Sequence, residues 1–304
     1  MGEQSWQQKL SAGKVVIIDG ATGTELQRRG VPMDEVAWSG AAVLSHPDVV
    51  RSVHEDYIRA GAEVIIANTF GSTRQMLEPA GYGDQVEVVN RRGVELALQA
   101  RANVADRNVA IAGSISAMPP GFDRDAYFSP ADELASYREA IGYLVDAGCD
   151  LIALEMMEDT EHAARAMQAA VESGLPVWLG VSCKENEAGQ LVGFGYQDVQ
   201  LADVLKRLVA MGPALVNVMH TNAHVVPQAL EVVRQYWDGP VGVYPDSGYF
   251  TKPNWNFVDV IPPDELVKEA IGWVKSGVRL LGGCCGTGPE HIEALNQSRL
   301  ENTS

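Results

Sequence analysis

Two adjacent cysteines near the end of the chain are its most reactive pair of side chains. Cys284 and Cys285 follow an apolar segment, residues 278–281, and four glycines stand around them within residues 282–288. Neighbouring cysteines do not easily bridge each other, because a disulfide needs a Cα–Cα separation well above the ~3.8 Å between adjacent residues. Two thiols on a glycine-rich turn suit a soft metal such as zinc, which would hold a substrate thiol as a nucleophilic thiolate. The alternative is a cysteine pair that only packs in the core.

Other polar side chains of the kinds used in catalysis also follow apolar segments. They are Asp19, the pair Asn68 and Thr69, Ser114, Glu155, Cys183, His220 and Asp246. A metal on two thiolates needs at least one further protein ligand, for which His220 is the candidate, with His224 as its competitor. Asp19 and Glu155 are candidates to bind a substrate amino group. The backbone N–H groups of residues 20–23 and 286–288 are candidates to bind a carboxylate. Singly, Asp19 could cap a turn, Glu155 could be a loop acid and His220 could be a core residue.

Eight short β-rich segments must position these residues. They are residues 15–19, 63–69, 109–114, 151–155, 177–183, 214–220, 241–246 and 278–282. Most are unbroken apolar runs, as expected of parallel strands that are buried on both faces. Segments of helical periodicity separate them, at residues 48–60, 84–105, 131–147, 160–173, 199–211, 225–236 and 264–275. The alternation predicts an α/β fold, a single (β/α)8 TIM barrel.

The strand ends of such a barrel converge, so the polar residues above are expected to share one site. The longer inserts all lie on this strand-to-helix side, at residues 20–47, 117–130, 184–197 and 247–263. No linker or composition shift divides the chain, so we expect one domain over residues 1–304 with a core of about 14–295. Because the long inserts all lie on the strand-to-helix side, the chain is expected to be an enzyme and not a structural scaffold.

Composition excludes several classes of function. The formal net charge of −17 argues against binding nucleic acid or an anionic membrane through the overall field. No apolar run approaches the ~20 residues that span a bilayer, and residues 1–14 carry no apolar signal-peptide core. The four cysteines lack the spacing of a disulfide framework. A reducing, cytoplasmic location is therefore expected.

In several motifs the chain resembles the homocysteine S-methyltransferase family, the zinc-dependent barrel that methylates homocysteine to methionine. The matching motifs are Asp19-Gly20-Ala21-Thr22-Gly23-Thr24, Trp38-Ser39 with His46-Pro47, Ala67-Asn68-Thr69-Phe70, Gly113-Ser114-Ile115, Leu154-Glu155, Tyr244-Pro245-Asp246-Ser247-Gly248, and the run from Gly282 through Cys284-Cys285 to Ile292. They keep the family's order and cover about residues 14–295. The last motif is specific for the family.

The resemblance implies a site for each substrate. Zn²⁺ would be held by Cys284 and Cys285, with His220 as our candidate for the third ligand. Homocysteine would lie beside it, its amino group near Asp19 and Glu155, which are also the candidate catalytic residues. The complete set implied for substrate binding is Asp19, Gly20, Thr22, Asn68, Thr69, Phe70, Ser114 and Glu155. Zinc lowers the pKa of a bound thiol, so that the thiolate exists at neutral pH and can attack the methyl group of a sulfonium or quaternary ammonium donor.

The chain departs from the family at the third zinc ligand. The family takes a cysteine from an Asn-Cys pair at the end of strand six, and the corresponding segment here, residues 215–224, has none. Counting forward from Gly212 places His220 at the position of the family's cysteine. Counting back from Pro227 places Met219 there. Aligning Asn217 with the family's asparagine places Val218 there. A His-Cys-Cys site would carry one negative charge fewer than the family's site with three cysteines. With Met219 or Val218 the zinc affinity should fall, and the chain would be a diverged relative that binds a thiol amino acid or uses another acceptor.

The methyl donor and the oligomeric state are left open by the sequence. S-methylmethionine, S-adenosylmethionine, glycine betaine and a dimethylsulfonium compound all fit the chemistry. A cationic donor suits aromatic walls, to which we expect at most two of the insert aromatics to contribute. The candidates are Trp38, Phe70, Phe122, Tyr127, Tyr249, Phe250 and Trp255. A free small-molecule donor is expected because no corrinoid-binding module is present, and a homodimer is the default assembly.

Overall fold

The structure is a computed structural model that describes residues 4–251, 256–298 and 300. Its centre is a barrel of eight parallel strands in the order β1-β12-β9-β8-β5-β4-β3-β2. A parallel bridge between Ile18 and Val64 joins β1 to β2 and closes the barrel. The twelve strands are β1 (Val16–Ile17), β2 (Val64–Ile66), β3 (Ala110–Ser116), β4 (Leu151–Met157), β5 (Val177–Val181), β6 (Cys183–Glu185), β7 (Leu191–Gly193), β8 (Leu215–Asn222), β9 (Val241–Asp246), β10 (Tyr249–Thr251), β11 (Asn256–Val258) and β12 (Leu280–Leu281).

Helices surround the barrel and return the chain from one strand to the next. They are α1 (Trp6–Ser11), α2 (Thr22–Arg28), α3 (Ala42–Ser45), α4 (Pro47–Ala60), α5 (Arg74–Leu77), α6 (Val86–Val104), α7 (Pro130–Ala147), α8 (His162–Glu172), α9 (Leu201–Leu208), α10 (Val226–Tyr236), α11 (Pro263–Lys275) and α12 (Pro289–Gln297). One helix of eight or more residues follows each barrel strand. The predicted (β/α)8 barrel is therefore confirmed.

Two hydrophobic layers hold the barrel together. Every residue of β3 and of β4 is buried, because one face of each strand packs on helices and the other fills the barrel. On the helix side, α4 buries Val50, Val53 and Tyr57 at a spacing of three and four residues. Gly61 then ends α4 in the left-handed conformation, with a φ of 115°.

The N-terminal helix closes the end of the barrel that lies opposite the long inserts. Trp6 of α1 is 8% exposed and meets Trp178 of β5 edge to face, with ring centroids 5.2 Å apart. Trp178 is buried inside the barrel. A capping box between Ser5 and Gln8 starts this helix. Residues 1–14 were predicted only to lack an apolar signal-peptide core, and the packing of Trp6 was not anticipated.

Strand boundaries differ from the prediction at three places that bear on the site. β4 continues to Met157, with a shift of register between Leu154 and Met157. β5 ends at Val181, and Cys183 instead begins the antiparallel pair β6 and β7. The insert after β9 contains a second antiparallel pair, β10 and β11. Among the helices that the structure describes, none is both long and apolar enough to cross a bilayer.

Candidate active site

A cavity of about 290 Å³ opens at the carboxyl ends of the barrel strands. Its walls come from the strand ends and from the long inserts that follow them, as expected for a barrel enzyme. Cys284, Cys285, His220 and Glu155 all line it. The convergence of these four side chains on one cavity agrees with the shared site that the sequence predicts.

The two cysteines are held by a tight turn after β12. Cys284 N–H donates to the Pro245 carbonyl (2.8 Å), and the Cys285 carbonyl accepts from Ser247 N–H (2.9 Å), so the turn is tied to the end of β9. Gly286 has a φ of 85°, which favours glycine. A Cβ on Gly283 would stand 2.1 Å from Thr287. The glycines of the motif are therefore needed for backbone geometry, and they present both thiols on one side of the turn.

His220 reaches the cysteines because β8 is irregular at its end. The pairing of β8 with β9 shifts register between Met219 and Asn222, and His220 has a φ of 41°, an uncommon conformation for a residue with a side chain. Its carbonyl accepts from the Ser182 hydroxyl (2.9 Å). Its Nδ1 lies 3.5 Å from the Sγ of Cys284.

The two other residues considered at this position point elsewhere. Val218 packs in the layer between the barrel and the helices. Met219 lines the cavity as well, but its Sδ accepts from Met156 N–H (3.4 Å) within the barrel interior. His224 is exposed in the turn after β8.

The spacing of the three donor atoms fits a zinc ion. A tetrahedral zinc with Zn–S of about 2.3 Å and Zn–N of about 2.0–2.1 Å requires S–S and S–N separations of about 3.8 and 3.6 Å. The two Sγ atoms are 4.0 Å apart and the Cys284 Sγ–His220 Nδ1 distance is 3.5 Å. The ligand atoms of the three residues all lie within 4.8 Å of one another. Small side-chain movements would complete the coordination shell.

The short distances between these three side chains also shift the pKa values of Cys284 and His220. The Cys285 thiol and then burial raise the pKa of Cys284 well above its ordinary value. Burial opposes a charge on His220, yet Cys284 and the carboxylates of Asp246 and Glu158 together raise its pKa to about 9. A cation at this position would replace the protons that these groups otherwise share.

Two buried carboxylates lie near the cluster, Glu155 in the cavity wall and Asp19 behind it. Asp19 is 1% exposed, and its Oδ2 accepts from Ile66 N–H (2.8 Å) whereas its Oδ1 has no hydrogen-bond partner among the described residues. The Oε2 of Glu155 accepts from the hydroxyl of Ser114. Burial raises the pKa of both acids, and the charge of Glu155 raises that of Asp19 further. An ammonium group would offset both penalties.

The remaining predicted residues divide between the cavity wall and its support. Gly20, Thr22, Asn68 and Phe70 line the cavity, whereas Asp19, Thr69 and Ser114 do not. Thr69 links two strands, because its hydroxyl donates to the Ser114 carbonyl (2.9 Å) and accepts from Ser114 N–H (3.0 Å).

Asn68 supports the insert after β1. Its amide donates to the Ser39 carbonyl (2.8 Å) and its Oδ1 accepts from the Ser39 hydroxyl (2.8 Å). This insert carries Trp38, which packs against Phe70 with ring centroids 5.6 Å apart. Trp38 and Phe70 both line the cavity.

Other predicted candidates lie away from the site. Cys183 packs in the outer core against Thr221. Tyr127 stacks on His162 outside the cavity wall, and Tyr249 is 57% exposed. Trp255 lies outside the described residues, as do the side chains of Phe122 and Phe250.

The amides of residues 286–288, proposed from the sequence as a carboxylate site, are already used within the turn. Gly286 N–H donates to Thr24, Thr287 N–H to the Cys284 carbonyl, and Gly288 N–H to His291. That half of the prediction was wrong. The other predicted set, residues 20–23, stays a prediction: the N-cap residue Ala21 makes no side-chain cap, and Thr22 and Gly23 line the cavity.

Sequence reasoning missed several residues of the cavity wall, among them Glu158, Phe194 and Tyr196. Glu158 follows the unexpected extension of β4, and Phe194 and Tyr196 follow β7. Phe194 meets the ring of His220 edge to face, with centroids 4.6 Å apart. The signals that could have found them are the second acid in Glu155-Met156-Met157-Glu158 and the aromatic residues of the insert at 184–197.

Comparison with known proteins gives one consistent result. The family model described as homocysteine S-methyltransferase matches residues 16–298. Homocysteine S-methyltransferase 3 of Zea mays is 27% identical over 312 residues, which cover 95% of this chain and 91% of that protein. Homocysteine S-methyltransferase YbgG of Bacillus subtilis (strain 168) is 27% identical, covering 95% and 96%. The Selenocysteine methyltransferase of Astragalus bisulcatus is 26% identical, covering 93% and 92%.

Solved structures show the same fold. The metallated form of the homocysteine methyltransferase MmuM from Escherichia coli superposes with a TM-score of 0.77 at 24% identity. The alignment covers 95% of this chain and 98% of that one.

Proposed function

The chain belongs to the homocysteine S-methyltransferase family, and we propose that it moves a methyl group from a sulfonium or quaternary ammonium donor to the thiol of homocysteine, giving methionine, with zinc held by His220, Cys284 and Cys285. The observation that carries the metal assignment is the cluster of three soft donor atoms within 4.8 Å at the edge of a cavity. Three protein ligands leave an open position for substrate.

Zinc bound there would lower the pKa of the homocysteine thiol, so that the acceptor is a thiolate at neutral pH. The new bond joins the acceptor sulfur to the methyl carbon. The bond between that carbon and the donor's cationic atom breaks, and its electron pair returns to the donor, which leaves as a neutral sulfide or tertiary amine.

The chain's own residues orient the acceptor. The ammonium group of homocysteine fits between Glu155 and the unpartnered Oδ1 of Asp19, which it would neutralise. The carboxylate fits the free amides of Thr22 and Gly23 at the start of α2, where the helix dipole favours an anion. Both ends of the amino acid are then fixed, and its thiol lies towards the cysteine turn.

The donor would occupy the rest of the cavity. Trp38 and Phe70 supply aromatic surface on one wall of this space and keep water away from the transferring methyl group. A compact cation requires no dedicated phosphate or nucleoside site.

Elemental analysis of protein purified without chelator under reducing conditions tests the metal centre. We expect about one zinc ion per chain, loss of that zinc in His220→Ala and its retention in His224→Ala. The exposed His224 is a matched control from the same segment. Turnover of homocysteine with each of the four donors then tests the reaction. A zinc-free parent after zinc is supplied, or full zinc in His220→Ala, would refute the assignment.

A further inference from the structure

Glu158 is a buried acid that the proposed reaction leaves unexplained. The residue is 3% exposed and lines the cavity. Its Oε2 accepts from Gly195 N–H, whereas Oε1 is enclosed and has no hydrogen-bond partner among the described residues. An unpaired buried carboxylate oxygen is costly, and its retention calls for a partner that the protein itself does not supply.

The surroundings of Glu158 suit a cation that carries methyl groups. Phe194 and Tyr196 lie on either side of Gly195 and line the same cavity. Both rings already lie against a cation of the chain: the Lys184 Nζ is 5.2 Å from the Phe194 ring centroid and the Arg124 guanidinium is 4.2 Å from that of Tyr196. A donor cation would therefore have to share or displace these contacts. Met118 and Met156 add polarizable thioethers to the wall. An acid between aromatic rings and thioethers matches an onium ion better than it matches a hydrogen-bond donor.

The position of Glu158 is also appropriate for the reaction. Glu158 lines the same cavity as His220, Cys284 and Cys285, so the carboxylate faces the space in which methyl transfer would take place. Asp19 and Glu155 form a separate acidic pair that the acceptor's ammonium group would occupy. Two acidic subsites fit two substrates that each carry a cationic group, the ammonium of the acceptor and the onium centre of the donor.

We propose that Glu158 is the specificity residue for the methyl donor and that it binds the donor's cationic sulfur or nitrogen centre, with Phe194 and Tyr196 as the walls of that subsite. The identification of the bound cation as the methyl donor rests on the proposed methyl transfer. The binding event itself requires no turnover.

Burial supports the same interpretation. It raises the pKa of Glu158 to about 7, although the Gly195 amide and His220 oppose the shift. A cation that enters the cavity stabilises the ionised form, so the acid gains most from a permanently charged ligand.

Calorimetric binding of the trimethylsulfonium ion to the zinc-loaded protein is the test. The parent should bind this ion at least about tenfold more tightly than dimethyl sulfoxide, a neutral molecule of similar size. Glu158→Gln should lose that preference, and Glu158→Asp, which keeps the charge, should retain most of it. Glu187→Gln neutralises an exposed acid of the neighbouring insert and should bind like the parent.

Zinc content and melting temperature are measured on every variant. A parent without preference for the cation overturns the proposal, as does unchanged cation binding in Glu158→Gln. Loss of zinc from Glu158→Gln also overturns it, because the acid would then act through His220. If the cation binds as expected but no donor methylates homocysteine, the subsite stands and the proposed reaction fails.

Discussion

Replacing Glu155 by glutamine should weaken homocysteine binding while leaving the metal in place. Glutamine has nearly the same shape but removes the negative charge. The Ser114 hydroxyl already occupies Oε2, so the substrate ammonium must approach from the Oε1 side. Glutamine can still pair with Ser114, and the cavity wall should therefore keep its form.

The expected loss follows from the burial of the site. A hydrogen bond to a charged group contributes about 1.5–3 kcal/mol, and 1.4 kcal/mol corresponds to a tenfold change in affinity. Glu155 is 7% exposed, so the charge-assisted contact is little screened. Asp19 remains as a second acid, which limits the damage to the affinity. We expect the Kd of homocysteine to rise about 10- to 150-fold.

Isothermal titration of homocysteine into zinc-loaded protein measures this change, with zinc per chain determined on the same samples. Glu172→Gln is the control, because it neutralises an exposed acid of α8 that pairs with Arg138. An affinity within twofold of the parent would show that Glu155 does not bind the amino group. Equal loss of zinc and of homocysteine would show instead that Glu155 supports the metal cluster.

Two further predictions concern the metal and the core. Cys284→Ser and Cys285→Ser should each lose bound zinc by elemental analysis, whereas Cys149→Ala, in the helix layer, should keep it; turnover that survives either serine change would contradict zinc chemistry. His54 is fully buried, neither ring nitrogen has a hydrogen-bond partner within the described part of the chain, and burial lowers its pKa to about 4. The unfolded chain therefore binds more protons between pH 6.5 and 4, and folding stability should fall as the pH falls through that window, by about 3 kcal/mol in total. Urea unfolding at pH 7 and 4.5 should show a smaller acid loss for His54→Leu, and equal losses would contradict this origin.

The barrel was predictable because its signals repeat. Each apolar segment without alternation became a parallel strand, and glycines such as Gly61 and Gly148 end helices in the left-handed conformation as expected. The role of Trp6 was not predictable, since nothing local shows that a short N-terminal helix packs into the far end of the barrel.

Within the site, local motifs predicted the cysteine pair, Asp19 and Glu155. The positions of His220 and Glu158 could not be predicted, because the backbone is irregular near both residues. Counting along β8 could not distinguish Val218, Met219 and His220, because a shift of pairing near the strand end decides which side chain faces the cysteines. A similar irregularity in β4 placed Glu158 beyond the predicted end of the strand. Such bulges depend on neighbouring strands and leave little trace in one sequence.

The ends of β8 and β4 both affect the charge near the proposed metal centre, through His220 and Glu158. In the proposed centre, two thiolates would balance the two positive charges of zinc, whereas a site with three thiolates would be negative. A neutral His220 therefore reduces the electrostatic attraction between the cluster and a cationic donor. Glu158 and Asp246 both lie near enough to His220 to raise its pKa, and thus return negative charge to the same part of the cavity. In the proposed complex, a carboxylate beside the donor would supply part of the negative charge that a third thiolate would otherwise place on the metal.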